Sequence, residues 1–174
     1  MKLKIKVKLF DSGCLPQVNA KGDWCDLYAA ESIDIEAAQS GVLYQKDNKR
    51  LRDVTTPVVK IPLGVAMELP EGFEAIVAMR SSSPKNFNIF IPNGIGVIDN
   101  TYKGDNDQWW LIASPLSTGT VERYDRVCQF RIQLSQKATV WQKLKWLLSS
   151  GIEIVHVESL DNEDRGGIGS TGVK

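Results

Sequence analysis

The strongest constraint on how this chain can fold is a period of two. Leu3, Ile5, Val7 and Leu9 alternate with lysines, which places the apolar side chains on one face of an extended strand and the ammonium groups on the other. Short apolar runs recur at 58–65, 75–79, 89–91, 109–112, 127–132 and 152–157. Turn formers separate them: Pro62, Pro70-Glu-Gly72, Pro84, Pro92-Asn-Gly94, Pro115 and Gly119. Many short strands at roughly ten-residue spacing, without alternating helices, predict an all-β antiparallel sandwich, jelly roll or barrel.

One stretch breaks the pattern. At 138–150, Val140, Leu144, Leu147 and Leu148 fall at helical spacing with Trp141 and Trp146, and Gly151 ends the run. This predicts a single amphipathic helix packed on the sandwich. Its Lys137, Lys143 and Lys145 beside the tryptophans also suit a membrane surface or a protein partner.

A chain of 174 residues with 43% hydrophobic content is long enough for one domain with a sizeable core and short for two. Lys plus Arg and Asp plus Glu each total 21, so the global charge gives no reason to expect direct nucleic-acid binding or an anionic membrane partner. Cys14, Cys25 and Cys128 are odd in number and lack metal-ligand spacing, and the single His156 does not complete a standard zinc site. Reduced thiols, an alternating rather than continuously apolar N-terminus, and no membrane-length run predict a soluble, unexported cytoplasmic protein.

Three stretches carry chemistry. The first is Asn93-Gly-Ile-Gly-Val-Ile-Asp99-Asn-Thr-Tyr102-Lys-Gly-Asp105. It reads as a β-hairpin whose glycines leave backbone N–H and C=O groups uncovered, with Asp99 at the mouth of an apolar slot. That composition suits reading a small polar ring, and it equally suits a tight hairpin with a solvated aspartate. The second is Arg165-Gly-Gly-Ile-Gly-Ser-Thr-Gly172, four glycines in eight residues. It suits either a flap that wraps a polyphosphate or a frayed tail, and no lysine follows the glycines to make a P-loop. The third is Arg80-Ser-Ser at the end of the 75–79 run, which is either a guanidinium fork with hydroxyl donors for phosphate or an ordinary surface turn.

Together and in this order, these stretches resemble the trimeric deoxyuridine triphosphate nucleotidohydrolases, or dUTPases. Cys25-Asp-Leu-Tyr-Ala-Ala30 is similar to that family's first motif and Arg80-Ser-Ser to its second. Asn93 through Gly104 matches the third, Asp125-Arg-Val-Cys-Gln129 the fourth, and Arg165 to Gly172 the fifth. The resemblance implies a jelly-roll body over 1–164, with the inserted helix at about 138–150 and a flexible Gly-rich flap at 165–174. It also implies a homotrimer with active sites at subunit interfaces, each flap donated by a neighbour.

The same resemblance implies a role for each matching residue. Asn93 and backbone groups of Gly96, Val97 and Ile98 would read the acceptor-donor-acceptor edge of uracil and leave no room for thymine's methyl group. Tyr102 would pack on deoxyribose. Asp99 would hold the 3′-hydroxyl and act as general base toward the water attacking the α-phosphorus, giving dUMP and pyrophosphate. Arg80, Ser81 and Ser82 would contact the α/β phosphates, Gln129 would help hold water and phosphate, and Arg165, Ile168, Gly169, Ser170 and Thr171 would cover the base and the β/γ end. Mg²⁺ would ride on the triphosphate with several waters, with Asp26 an outer-sphere ligand at most or simply the residue that orients the first motif's turn.

The chain also departs from the family pattern. Ile168 stands where the flap usually carries an aromatic residue, Trp24-Cys25 precedes Asp26 in place of Gly plus an aromatic, Ser82 replaces a Gly, and Asn100-Thr101 replaces a more acidic pair. Short, divergent members of this kind are familiar from bacteriophages and their hosts. Two other readings remain open. The dCTP deaminases share the fold and an Arg-Ser-Ser motif but need a glutamate after the third motif, and no Glu occurs between Glu74 and Glu122. The other is a regulatory protein of this fold that docks a protein partner through its inserted helix.

Overall fold

The computed structural model describes residues 1–37, 39–46, 49–55 and 57–167, with the backbone alone for 39–46 and 49–55. The described elements are mostly strands. β1 (Leu3–Leu9), β2 (Gln17–Val18), β3 (Cys25–Tyr28), β4 (Ile33–Ile35), β5 (Gln39–Lys46), β6 (Lys49–Thr55), β7 (Val59–Pro62), β8 (Val65–Glu68) and β9 (Phe73–Met79) form the first half. The short helix α1 (Ser83–Phe87) leads to β10 (Ile89–Phe90), β11 (Gly96–Ile98), β12 (Trp110–Pro115), β13 (Gly119–Val121) and β14 (Arg126–Leu134). Helix α2 (Val140–Leu147) and β15 (Ile152–His156) follow.

The strands assemble largely by non-consecutive antiparallel pairing into a jelly roll. A five-stranded sheet runs β11-β9-β14-β3-β2, and two three-stranded sheets run β15-β1-β8 and β10-β12-β7. β1 behaves as its alternation requires: Leu3, Ile5 and Val7 are buried while Lys4 and Lys6 face solvent. It pairs antiparallel with β8 and parallel with β15. Between the sheets lie Ile5, Leu27, Ile61, Met67, Phe73 and Phe130, all fully buried. Trp109 meets the Phe130 ring edge-on, with centroids 5.3 Å apart. Each such side chain contributes about 1.5–3 kcal/mol of transfer free energy when removed from water.

The three cysteines are buried and free. Burial pushes the Cys14 and Cys25 thiols up, to about 11 and about 12, so they stay protonated.

α2 starts at a capping box: Thr139 Oγ1 accepts from the Gln142 amide and Gln142 Oε1 accepts from the Thr139 amide. It rests on the sheet through Trp146, whose ring lies 5.3 Å from that of Phe73. The rest of its apolar stripe stays outside. Val140 and Trp141 are 78% and 76% exposed, and Leu147 and Leu148 also face solvent. The helical period is therefore correct, but only one turn of the apolar face is covered by the sheet.

The hairpin reading needs correction. Gly96–Ile98 is paired antiparallel with β9, Ile98 opposite Ala75, and among the described residues no strand returns against it from beyond Asp99. The turn residues point elsewhere: Asn100 Nδ2 donates to the carbonyls of Leu69 and Pro70 at 2.9 and 3.0 Å. The chain then runs through the loop 103–109 before β12. A further difference is the β5–β6 pair, whose polar-rich sequence has no clean alternation to betray it.

Candidate active site

β11 builds one wall of a cavity of about 420 Å³, within the range of small-molecule sites. Val77, Ile91 and Trp109 to Ile112 supply apolar lining, and Asn93, Asp99, Tyr102 and Arg165 supply the polar groups. The turn before β11 needs Gly94: its φ is +82°, and its amide donates to the Ile91 carbonyl at 3.0 Å. Across the strand, a Cβ on Gly96 would stand 3.4 Å from that of Val77.

Asp99 ends β11 in a tight turn. Its Oδ1 accepts from the Thr101 amide at 2.9 Å and from the Thr101 hydroxyl. Its Oδ2 accepts from Arg165 Nη1 at 2.6 Å. Burial pushes this carboxyl up, but the Thr101 bonds and the Arg165 guanidinium together outweigh it and hold it below the usual carboxylate range. Asp99 is thus ionised at neutral pH, with both oxygens occupied. Tyr102 is pinned beside it, its hydroxyl donating to the Gln108 carbonyl at 2.8 Å. Burial and then the nearby Asp107 push the phenol up, so it stays protonated.

A second cluster forms on the same sheet. Gln129 on β14 stands opposite Asp26 on β3 and Ala78 on β9. Asp26 is 4% exposed, and its two oxygens meet Arg80 Nε at 2.9 Å and Arg126 Nη1 at 3.3 Å. Arg80 is thereby held at the end of β9, next to exposed Ser81 and half-buried Ser82 at the start of α1. Ser83, which motif reading passed over, is buried and donates to the Val127 carbonyl at 2.8 Å, fixing that turn.

These two clusters do not meet within one chain. Asp99 follows Ile98, which pairs with Ala75, whereas Arg80 lies beyond the far end of β9. At about 3.3 Å per strand residue the two backbones are roughly 17–20 Å apart. The tail behaves differently. Where the resemblance implies a flap given by a neighbour, the described root of the tail, 165–167, stands over the Asp99 of its own chain. Ile168, Gly169, Ser170 and Thr171 lie outside the described residues. Sequence reading also missed the residues that hold this root, Asn106 and Asp107, whose only signal is the dense turn composition of Gly104-Asp-Asn-Asp.

Among the described residues no three His, Cys, Asp or Glu side chains cluster in a way that would hold a metal ion. With Asp26 committed to two guanidiniums, the donor set fits an ion carried mainly by substrate oxygens and water rather than by a protein cage.

A jelly-roll chain with an apolar slot, an ionised carboxylate at its mouth and a carboxylate-braced arginine among hydroxyls is built like a nucleotide hydrolase. Over 174 aligned residues it is 41% identical to the SPbeta prophage-derived deoxyuridine 5′-triphosphate nucleotidohydrolase YosS of Bacillus subtilis (strain 168), covering 99% of this chain and 100% of that protein. The chain belongs to the deoxyuridine 5′-triphosphate nucleotidohydrolase family. The enzyme of that name from Helicobacter pylori (strain P12) is 28% identical over 178 residues, covering 99% of this chain and 98% of its own. No family model matches the chain.

Solved structures agree in fold. The dUTPase of Streptococcus mutans aligns with a TM-score of 0.60 at 22% identity, covering 77% of this chain and 98% of its own. A dUTPase mutant from phage phi11 of S. aureus, described with a structural Mg(II) ion, aligns with a TM-score of 0.59 at 16% identity, covering 78% and 94%. Among the described residues, no helix is long and apolar enough to cross a membrane.

Proposed function

We infer that this chain hydrolyses dUTP to dUMP and pyrophosphate, keeping uracil out of DNA and supplying dUMP. The single observation that carries the chemistry is Asp99: an ionised carboxylate at the mouth of the β11 slot, fixed by Thr101 on one oxygen and reached by Arg165 on the other. In this reading uracil enters the slot, where Asn93 and backbone groups of Gly96, Val97 and Ile98 meet its polar edge. Tyr102 lies against deoxyribose.

The Arg165–Asp99 contact gives the cycle its order. While the pair is closed, Oδ2 is spent on a guanidinium and takes up a proton poorly. A triphosphate offers Arg165 a stronger, bidentate partner. Once Arg165 turns to the β/γ phosphates, Oδ2 accepts the proton of the attacking water, the new P–O bond forms at the α-phosphorus, and the bond to the pyrophosphate oxygen breaks. Asp99 acts as a base on water, so no covalent enzyme intermediate is needed.

Arg80, Ser81, Ser82 and Gln129 bind the α/β phosphates in this reading. Because Arg80 is some 20 Å from Asp99 within a chain, going by the rise of β9, they come from another subunit of a homotrimer. Mg²⁺ bound through the triphosphate and water supplies further charge neutralisation, with Asp26 outer-sphere at most. Ile168, Gly169, Ser170 and Thr171 would close over the base and phosphates in this reading. Pyrophosphate release from dUTP, dTTP, dCTP and UTP side by side tests the assignment. Turnover confined to dUTP supports it, and ammonia release from dCTP overturns it in favour of deamination.

The exposed Val140, Trp141, Leu147 and Leu148 favour a second role beside catalysis, docking of a protein partner on α2. A pull-down lost on Trp141→Ala with unchanged dUTP turnover supports it.

A further inference from the structure

β14 changes phase at one residue. Phe130 stands opposite Cys25, Gln129 opposite Asp26 and Cys128 opposite Leu27, but Arg126 then stands opposite Tyr28, so Val127 is an extra residue in the ladder. Burial follows: Val127 and Cys128 are both fully buried, where a regular strand would turn one of them outward. In an unbroken strand Arg126 and Gln129, three apart, would point to opposite faces. The bulge puts both on the face that carries Asp26, and Arg126 Nη1 reaches an Asp26 oxygen at 3.3 Å.

A bulge leaves its extra residue without a ladder partner. The Val127 carbonyl instead accepts from Ser83 Oγ at 2.8 Å, and the Arg126 carbonyl accepts from Arg80 Nη1 at 3.4 Å. Ser83 is fully buried, and its own amide donates to the Arg80 carbonyl at 3.0 Å, closing the turn Arg80-Ser-Ser-Ser83. The turn that carries Arg80, Ser81 and Ser82 is thus fastened to the bulge that orients Arg126 and Gln129. Asp26 ties the two sides together, meeting Arg80 Nε at 2.9 Å as well as Arg126. Without the Ser83 hydroxyl the Val127 carbonyl would be buried and unpaired, which penalises the bulged conformation itself.

We propose that Ser83 is a positioning residue for dUTP hydrolysis: its hydroxyl holds the bulge at Val127, and the bulge keeps Arg126 and Gln129 on the face where Asp26 braces Arg80. The proposal rests on the reading of Arg80 and Gln129 as phosphate-binding groups. It adds to that reading a buried residue that touches no substrate.

The test compares the full-length wild type with Ser83→Ala, Ser83→Cys and, as a control, Ile5→Val, which removes a core methyl on β1. Two things are read: KM and kcat for dUTP, and the contacts of Arg80 and Arg126 with Asp26 in nucleotide-free crystal structures. Ser83→Ala should raise KM about fivefold with kcat within about twofold of wild type, the loss expected when a charge-assisted phosphate contact is loosened rather than removed. In its crystal structure Arg126 should have left Asp26. Ser83→Cys keeps the shape with a weaker donor and should fall between wild type and Ser83→Ala. Ile5→Val should lower the melting temperature and leave KM unchanged, which separates positioning from stability. An unchanged KM in Ser83→Ala, or a raised KM with both arginines still on Asp26, overturns the proposal. If Ser83→Ala does not fold, Ser83→Cys decides by the same two criteria. A wild type that does not hydrolyse dUTP refutes the functional reading instead, and the Arg126–Asp26 contact in the variants still decides whether Ser83 holds the cluster.

Discussion

Arg165 donates to Asp99 at 2.6 Å across the mouth of the β11 slot, so the residue proposed as the base is ion-paired in this structure. This sets a pH signature. Burial raises the Asp99 carboxyl, and the Thr101 bonds and Arg165 outweigh it, leaving the folded value below the unfolded one. The pair's stabilisation is therefore present above the ordinary aspartate value of about 3.9 and is lost as pH falls through the lowered folded value. Arg165→Ala should shift the Asp99 midpoint upward in a ¹³C titration and flatten the acid-side loss of stability. An unchanged midpoint means that Arg165 does not hold Asp99 in solution.

Asp99→Asn tests the chemistry itself. Asparagine keeps the size and one acceptor but takes no proton, and a positioned base contributes on the order of 10² to 10⁴ in rate. Turnover should collapse while binding of a non-hydrolysable dUTP analogue, measured by calorimetry, stays near wild type. Near-normal turnover would remove Asp99 as the base.

Asp26 separates metal binding from arginine bracing. It spends its oxygens on Arg80 and Arg126, so Asp26→Asn should loosen Arg80 and raise KM for dUTP several-fold at every Mg²⁺ concentration. The Mg²⁺ midpoint itself should stay put. A midpoint that shifts with the substitution makes Asp26 a ligand rather than a brace.

How much of this was legible in advance differs by element. β1 could be read residue by residue because its lysines and aliphatics separate cleanly onto two faces. The β5–β6 pair could not, since Gln39-Ser-Gly-Val-Leu-Tyr-Gln-Lys shows no such separation. The return arm expected after Asp99 failed because Asn100 bonds across to Leu69 and Pro70 instead of reversing the chain locally, a tertiary contact that turn chemistry does not reveal. α2 showed its period, but periodicity says nothing about whether a partner face exists, and only Trp146 found one. In the site, Asp99, Arg80 and Arg165 were visible as motif residues. Asp107 was not, because an aspartate in a Gly-Asp-Asn-Asp turn looks like any solvated turn residue until the C-terminal segment arrives 58 positions later.

Ile168→Phe places an aromatic face at the position where the family resemblance implies one. Stacking on the base contributes roughly 1 kcal/mol, so KM for dUTP should fall about fivefold in steady-state assays. An unchanged or higher KM means that the flap tip does not lie over the uracil.

In the proposed trimer, Asp99 of one subunit works with Arg80 of another. This pairing follows from their placement at opposite ends of β9, and co-refolding two inactive variants tests it most directly. One variant is Asp99→Asn with Arg80 intact, and the other is Arg80→Ala with Asp99 intact. In a closed trimeric ring every mixed trimer contains one junction where an intact Asp99 meets an intact Arg80, so about one site in three works. Random assembly of equal amounts leaves about a quarter of the trimers unmixed, so dUTP hydrolysis should reappear in the mixture at about one site in four although neither variant turns over alone. If the mixture stays as inactive as its components while sedimentation shows mixed trimers, each site is built within a single chain and the shared-site account is wrong.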